Sequence, residues 1–193
     1  MSSNDPLSNK VLRLPRSLAT RFRIAWFRIL GMKIDKNCWV RKISVPRNPW
    51  DIELQRGAAL DDFIVLISSG ARTDEKRIVI GKDVYINRFT IIDASASIEI
   101  SEGTMIGPNC YITDHDHGTE PGIPINQQEL VSAPVSIGKN VWIGAGVSVL
   151  KGVRIGDNAI VGAGAVVTKD VPENGRFAGI PAAQIQAKSQ PKT

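Results

Sequence analysis

Aliphatic residues recur every six positions along the C-terminal half of the chain. From Ile137 the step reaches Ile143, Val149, Ile155, Val161 and Val167, all β-branched, and glycine follows directly at 138, 144, 156 and 162. The fifth place of each hexad is small or β-branched: Val141, Val147, Val153, Ala159, Ala165 and Val171. The same register runs upstream through Ile100, Ile106 and Ile112 and, two extra residues earlier, through Ile80, Ile86 and Ile92. Weaker sets are Leu54, Leu60 and Leu66, and Ile34 and Val40. A period of six fits neither the helical 3.6 nor an alternating strand with turns every 8 to 12 residues. It fits a short strand plus a turn. Three such units make a triangular coil, and coils stacked about 4.8 Å apart give every strand parallel neighbours above and below. The predicted fold class is therefore all-β, a parallel β-helix with its aliphatic column inward. Gly or Asn supplies the corner conformation, as at Gly81, Asn87, Gly107 and Gly138.

The rhythm stops between Ile112 and Ile137. Residues 113–136, reading TDHDHGTEPGIPINQQELVSAPVS, carry three prolines and both histidines of the chain. A long irregular loop extruded from a rigid scaffold is usually functional. Before the repeats, residues 1–33 have another character: Leu18, Phe22, Ala25, Trp26, Ile29 and Leu30 fall at helical spacing, with Arg21 and Arg28 on another face. This predicts a basic amphipathic helix with two roles. It would cap the open end of the β-helix by burying Phe22, Trp26 and Leu30, or lie on an anionic membrane surface. The tail, residues 181–193, is polar and reads as disordered after Ala183.

Charge sharpens this division. Ten basic and two acidic residues fall within positions 1–42, although the whole chain carries a net charge of only +5. The body is slightly acidic, which argues against nucleic acid as a partner. At 193 residues and 42% hydrophobic the chain suits one domain with a real core. Its longest apolar runs, such as residues 63–67, fall far short of the roughly 20 needed for a membrane span. Arg21, Arg23 and Arg28 interrupt any leader-like apolar stretch, so a cytoplasmic location, extending to the inner face of the membrane, is expected. Cys38 and Cys110 occupy fifth places of their hexads and read as reduced core residues.

The candidate chemistry lies in Asp114-His115-Asp116-His117-Gly118, where two imidazoles stand beside carboxylates. Imidazole is the side chain whose ordinary pKa suits proton transfer near neutrality. Either Asp114 or Asp116 could orient the base. Three-histidine zinc chemistry, the rival on such a scaffold in γ-class carbonic anhydrases, finds only two histidines here, so no metal is expected.

The hexads over residues 34–180 resemble the hexapeptide-repeat proteins with a left-handed β-helix. The stretch from Ile137 to Ala182, IGKNVWIGAGVSVLKGVRIGDNAIVGAGAVVTKDVPENGRFAGIPA, is similar to the C-terminal half of their acetyl-CoA-dependent O-acetyltransferases, galactoside, maltose and polysaccharide acetyltransferases among them. DHDHG before VWIG looks most like the polysaccharide branch. The resemblance implies a homotrimer that transfers acetyl from acetyl-CoA, as co-substrate, to a saccharide hydroxyl, with a loop histidine as general base. Counting five residues from Ile112 puts that role on His117, with His115 as runner-up or substrate contact. The resemblance further places Asn87 and Asp93 near the acceptor and Trp142 beside the acyl pocket. The Ala145 N–H would hold the oxyanion, and Gly144, Ala163, Thr168 and Lys169 would line the coenzyme groove, with Arg176 helping Lys169 hold the phosphates. The alternatives are N-acylation of an amino sugar or small amine, and a non-catalytic trimeric scaffold.

Overall fold

The six-residue rhythm becomes three parallel sheets wound around one aliphatic interior. The structure, a computed structural model, describes residues 7–72 and 74–186, with side chains from Leu18 onward. The first sheet has six strands, the second eight and the third five. In the first, Ile34, Leu54, Ile80, Ile100, Ile137 and Ile155 stand in register, and we number coils 1 to 6 from these residues. The second sheet aligns Val40, Leu60, Ile86, Ile106, Ile143 and Val161, with Val40 and Leu60 paired in one step and the rest in sequence. The third aligns Leu66, Ile92, Ile112, Val149 and Val167. All are buried, so the weak upstream hexads fill the same column as the strong ones. Cys38 and Cys110 are buried free thiols, raised by burial, and the Cys110 Sγ donates to the Gly144 carbonyl at 3.2 Å.

The corners between the first and second sheets, and those between the second and third from coil 2 onward, are four-residue turns whose third residue has positive φ. Between the first and second sheets these are Asn37, Gly57, Asp83, Gly103, Asn140 and Asn158. Between the second and third they are Phe63, Phe89, Asn109, Gly146 and Gly164. Asn and Gly accept this region readily, whereas it costs a phenylalanine about 1–2 kcal/mol.

Helix α1 (Leu7–Ile29) lies on coil 1, but not by the face that its apolar stripe predicts. Phe27 is only 7% exposed and Thr20 is buried, while Phe22 is 77% exposed and Trp26, Ile29 and Leu30 are exposed as well. The expectation that Phe22, Trp26 and Leu30 are buried is thus corrected. Coil 1 offers the helix unpaired carbonyls, and arginines on the inner side take them: Arg23 donates to Val40 O at 3.0 Å and Arg28 to Ile34 O at 2.7 Å. The cap is partly polar, and the larger apolar stripe faces away.

Two features lie outside the rhythm. Asp51, fully buried, is paired with Arg77 and accepts from Ser68 Oγ at 3.2 Å, holding the insertions that precede coils 2 and 3. After the third-sheet strand Tyr111–Thr113 the chain leaves the coil as an antiparallel hairpin, His115–His117 against Leu130–Ser132, and returns at Val135–Ile137. At the far end Arg176–Ala178 continues the second sheet, and Ala183–Gln184 pairs with it antiparallel. The tail read as disordered therefore begins with a strand; residues 187–193 lie outside the described residues, as do residues 1–6 of the N-terminal segment.

Candidate active site

The end of the third sheet in coil 4 delivers Asp114 and His115 together. Asp114 is fully buried, and its carboxylate accepts the Ser95 and Ala96 N–H groups, each at 2.8 Å. Its Oδ1 lies 3.0 Å from His115 Nδ1. An acceptor-only carboxylate selects the tautomer with the proton on Nδ1, leaving Nε2 as the basic atom. Asp93, paired with Thr113 in the ladder, joins them: burial pushes its carboxyl up and Asp114 adds to this, while His115 and Arg47 pull it down. His117, two residues on, is exposed, and its side chain has no hydrogen bond or ion pair among the described residues. It lines a hollow of about 690 Å³ under the hairpin. Asp116 turns to Lys151, 3.1 Å away. The carboxylate that the sequence places beside a base therefore serves His115, although the count from Ile112 points to His117.

A second feature occupies another corner of the prism. A groove of about 370 Å³ runs over the second sheet and its turn into the third, along Tyr85, Asn87, Met105, Trp142, Ala145 and Ala163. Trp142 is exposed in this groove and not packed beneath the hairpin. The turns make its floor unusual. In coils 2 and 3 the first side chain of the turn caps the second N–H: Asp61 accepts Asp62 N at 2.9 Å and Asn87 accepts Arg88 N at 2.8 Å. Coil 4 has Pro108, which has no N–H. Coils 5 and 6 have Gly144 and Gly162, which have no side chain to cap with, and the N–H groups of Ala145 and Ala163 have no acceptor among the described residues. Unpaired backbone donors on a groove floor are ready for a ligand. Glycine is also required sterically, because a Cβ at Gly144 would come within 2.6 Å of Ala163 N.

Of the residues expected for a coenzyme, Trp142, Gly144, Ala145 and Ala163 thus converge with Asn87. Thr168 and Lys169 do not line this groove, and Arg176 lines a separate hollow with Gln184 and Gln186. Asp93 sits with His115 and not with Asn87. The free N–H at Ala163 escaped the sequence reading, although GAG twice at the same place in the hexad was its signal.

Residues 134–169 match the family model described as bacterial transferase hexapeptide (six repeats). The chain is 38% identical over 112 residues to the putative lipopolysaccharide biosynthesis O-acetyl transferase WbbJ of Escherichia coli, covering 54% of this chain and 57% of that protein. It is 40% identical over 108 residues to the galactoside O-acetyltransferase of the same organism, covering 55% and 52%. The chain spans about half the length of the curated relatives it matches. Among solved structures, a galactoside acetyltransferase in complex with coenzyme A superposes with a TM-score of 0.60 at 27% identity, over 85% of this chain and 68% of that one. AntD, an N-acyltransferase from Bacillus cereus in complex with dTDP and 3-hydroxybutyryl-CoA, shares the fold with a TM-score of 0.69 at 22% identity, over 86% and 88%.

Proposed function

We propose that the chain is a hexapeptide-repeat transferase and, within that class, an acetyl-CoA-dependent O-acetyltransferase acting on a saccharide hydroxyl. The observation that carries this reading is the buried Asp114 carboxylate fixed on His115 Nδ1. Asp114 holds the ring and stabilises its charged form, and His115 Nε2 takes the proton of the acceptor hydroxyl as that oxygen attacks. The groove fits the thioester substrate, which supplies the acetyl group in activated form. Ala145 N–H donates to the oxygen on which charge develops, without reorganisation, because the coil corner is fixed. His117, on the hairpin, contacts the acceptor.

The winding of the coils is left-handed, as in this family. The histidine pair and the groove flank opposite sides of the third sheet, so one subunit's hairpin completes a neighbour's groove, in a homotrimer with three sites. A cytoplasmic enzyme at the inner face of the membrane suits an acceptor built on a lipid carrier. The outward stripe of α1, Leu18, Phe22, Trp26 and Ile29, in a segment that carries ten bases within the chain's first 42 residues, fits an anionic lipid surface. Sedimentation with phosphatidylserine vesicles should be lost in Phe22→Ser/Ile29→Ser and weakened by salt. Equal binding to phosphatidylcholine would exclude the electrostatic part.

The deciding experiment follows labelled acetyl from acetyl-CoA into a panel of sugars and amino sugars. His115→Ala should lower kcat by about 10²–10⁴ with little change in the KM for acetyl-CoA. His117→Ala should do less. A loss confined to His117→Ala would move the base to His117, and transfer only to amino sugars would make the enzyme an N-acyltransferase.

A further inference from the structure

The turn from the second to the third sheet holds Asn or Gly at its positive-φ place in coils 4, 5 and 6, and phenylalanine in coils 2 and 3. Nothing in the winding asks for phenylalanine there, since Asn109, Gly146 and Gly164 build the same turn without strain. Neither ring is used for the core. Phe63 and Phe89 are 48% and 50% exposed, and they stack on each other with centroids 5.1 Å apart and planes within 6°. Bulky residues held in a disfavoured backbone region, and spent on the surface, mark a site where the side chain itself is wanted.

Their surroundings are polar and held in place. Lys42 Nζ lies 5.3 Å over the Phe63 ring. Asp61, buried, is met by Arg41 and Arg88, each at 3.2 Å, and by the Tyr85 hydroxyl at 3.4 Å. Asp62 accepts the Lys42 N–H at 3.1 Å and lies 3.5 Å from Arg41. Tyr85 and Asn87, the latter opening the turn that carries Phe89, both line the groove. The aromatic pair therefore stands at the coil-2 and coil-3 end of the groove, continuing the line of turns along its floor.

We infer that the outer face of Phe89, backed by Phe63, forms a stacking platform for the acceptor saccharide, placed at the coil-2 and coil-3 end of the groove. The inference rests on the acetyltransferase reading above and adds where the acceptor lies. A pyranose ring presents an apolar face of C–H groups that packs on an aromatic ring, while its rim of hydroxyls needs donors and acceptors. Arg41, Lys42, Arg88 and Asp62 provide both kinds beside the rings. A small alcohol has no such apolar face to lay on the ring.

The test uses the full-length chain and methyl glycosides with maltose-series oligosaccharides as acceptors. Phe89→Gly and the double variant Phe63→Gly/Phe89→Gly adopt the backbone already present at Gly146 and Gly164, so they should fold. For both, the KM for the saccharide should rise by about tenfold or more, with the KM for acetyl-CoA and the acceptor-independent hydrolysis of acetyl-CoA unchanged. Phe89→Trp should restore acceptor use, which a purely structural role for the ring would not require. An unchanged saccharide KM in an enzyme that does transfer acetyl would overturn the platform and leave the acetyltransferase reading standing. A loss that follows a change of oligomeric size by light scattering would instead make the rings an interface between copies. A wild-type chain that binds acetyl-CoA and acetylates no sugar would remove the saccharide reading itself, and the platform with it.

Discussion

The same four-residue turn is built in two ways along one edge of this molecule. In coils 5 and 6 it reads Gly-Ala-Gly: among the described residues the backbone N–H groups at Ala145 and Ala163 have no acceptor, and Gly144 and Gly162 bring no side chain to cap them. In coils 2 and 3 it reads Asp-Asp-Phe and Asn-Arg-Phe: the corresponding N–H groups are capped, and the turn offers side chains instead. One backbone shape thus presents bare peptide at one end and aromatic and charged groups at the other. Bare peptide suits a slender amide-rich ligand common to many enzymes; side chains suit a ligand that must be distinguished from others.

The harshest way to break this comparison is to turn coil 5 into coil 4. Ala145→Pro reproduces Gly107-Pro108, already accepted by the same turn, and removes only a donor. We expect kcat to fall about 10²–10³-fold with the melting temperature nearly unchanged. Full activity would mean that the free N–H at Ala145 has no part in the chemistry. Ala163→Trp fills the groove from an exposed position; titration calorimetry should show acetyl-CoA affinity reduced by about tenfold or more, while stability changes by less than about 1 kcal/mol. Mixing tests the proposed homotrimer: with histidine and groove supplied by different subunits, His115→Ala and Ala145→Pro chains assembled together should recover activity that neither has alone. At the other end, replacing Phe63 and Phe89 by glycine should leave thermal stability equal or raise it by up to about 1–2 kcal/mol, through relief of positive φ.

The smallest effect lies away from this edge. Burial raises the Asp93 carboxyl above its ordinary range, so the charged form is disfavoured in the folded chain. Asp93's protonated form therefore supports folding below the ordinary Asp pKa, and that support is lost as pH rises through the raised folded value. Asp93→Asn should melt slightly higher than the parent at pH 7, with the difference vanishing below about pH 4.

The sequence is a good guide to the interior and a poor one to which side of an element faces outward. Six-residue spacing picks out the aliphatic column of each sheet from Ile34 to Val167, since a slip by one position would turn the column out. For α1 the spacing finds an apolar stripe but not its partner. Phe27 with Thr20 wins the buried place because Arg23 and Arg28 on that side reach the carbonyls of coil 1, and no periodicity reports this. Phe63 and Phe89 read as ordinary hydrophobic positions until their φ values are seen. Asp51 and Arg77 lie 26 residues apart in insertions, where spacing carries no information. The histidines were legible as a pair; which one receives the carboxylate follows from the departure of the hairpin just after Asp114, a matter of three-dimensional path.

The antiparallel return of Ala183–Gln184 against Arg176–Ala178 bears on the protein's life at high concentration. Stacked parallel strands end in a row of amide and carbonyl groups with the same direction and spacing as the coil beneath, a template on which another chain could add end to end. A strand running the other way presents a mismatched hydrogen-bond pattern at that end, and Pro181, between the two strands, withholds one donor more. At the opposite end α1 lies across the first coil. Both growing tips of what would otherwise be a fibre are thereby blunted, so that lateral association of finished prisms, and not longitudinal polymerisation, is the assembly left open to the chain.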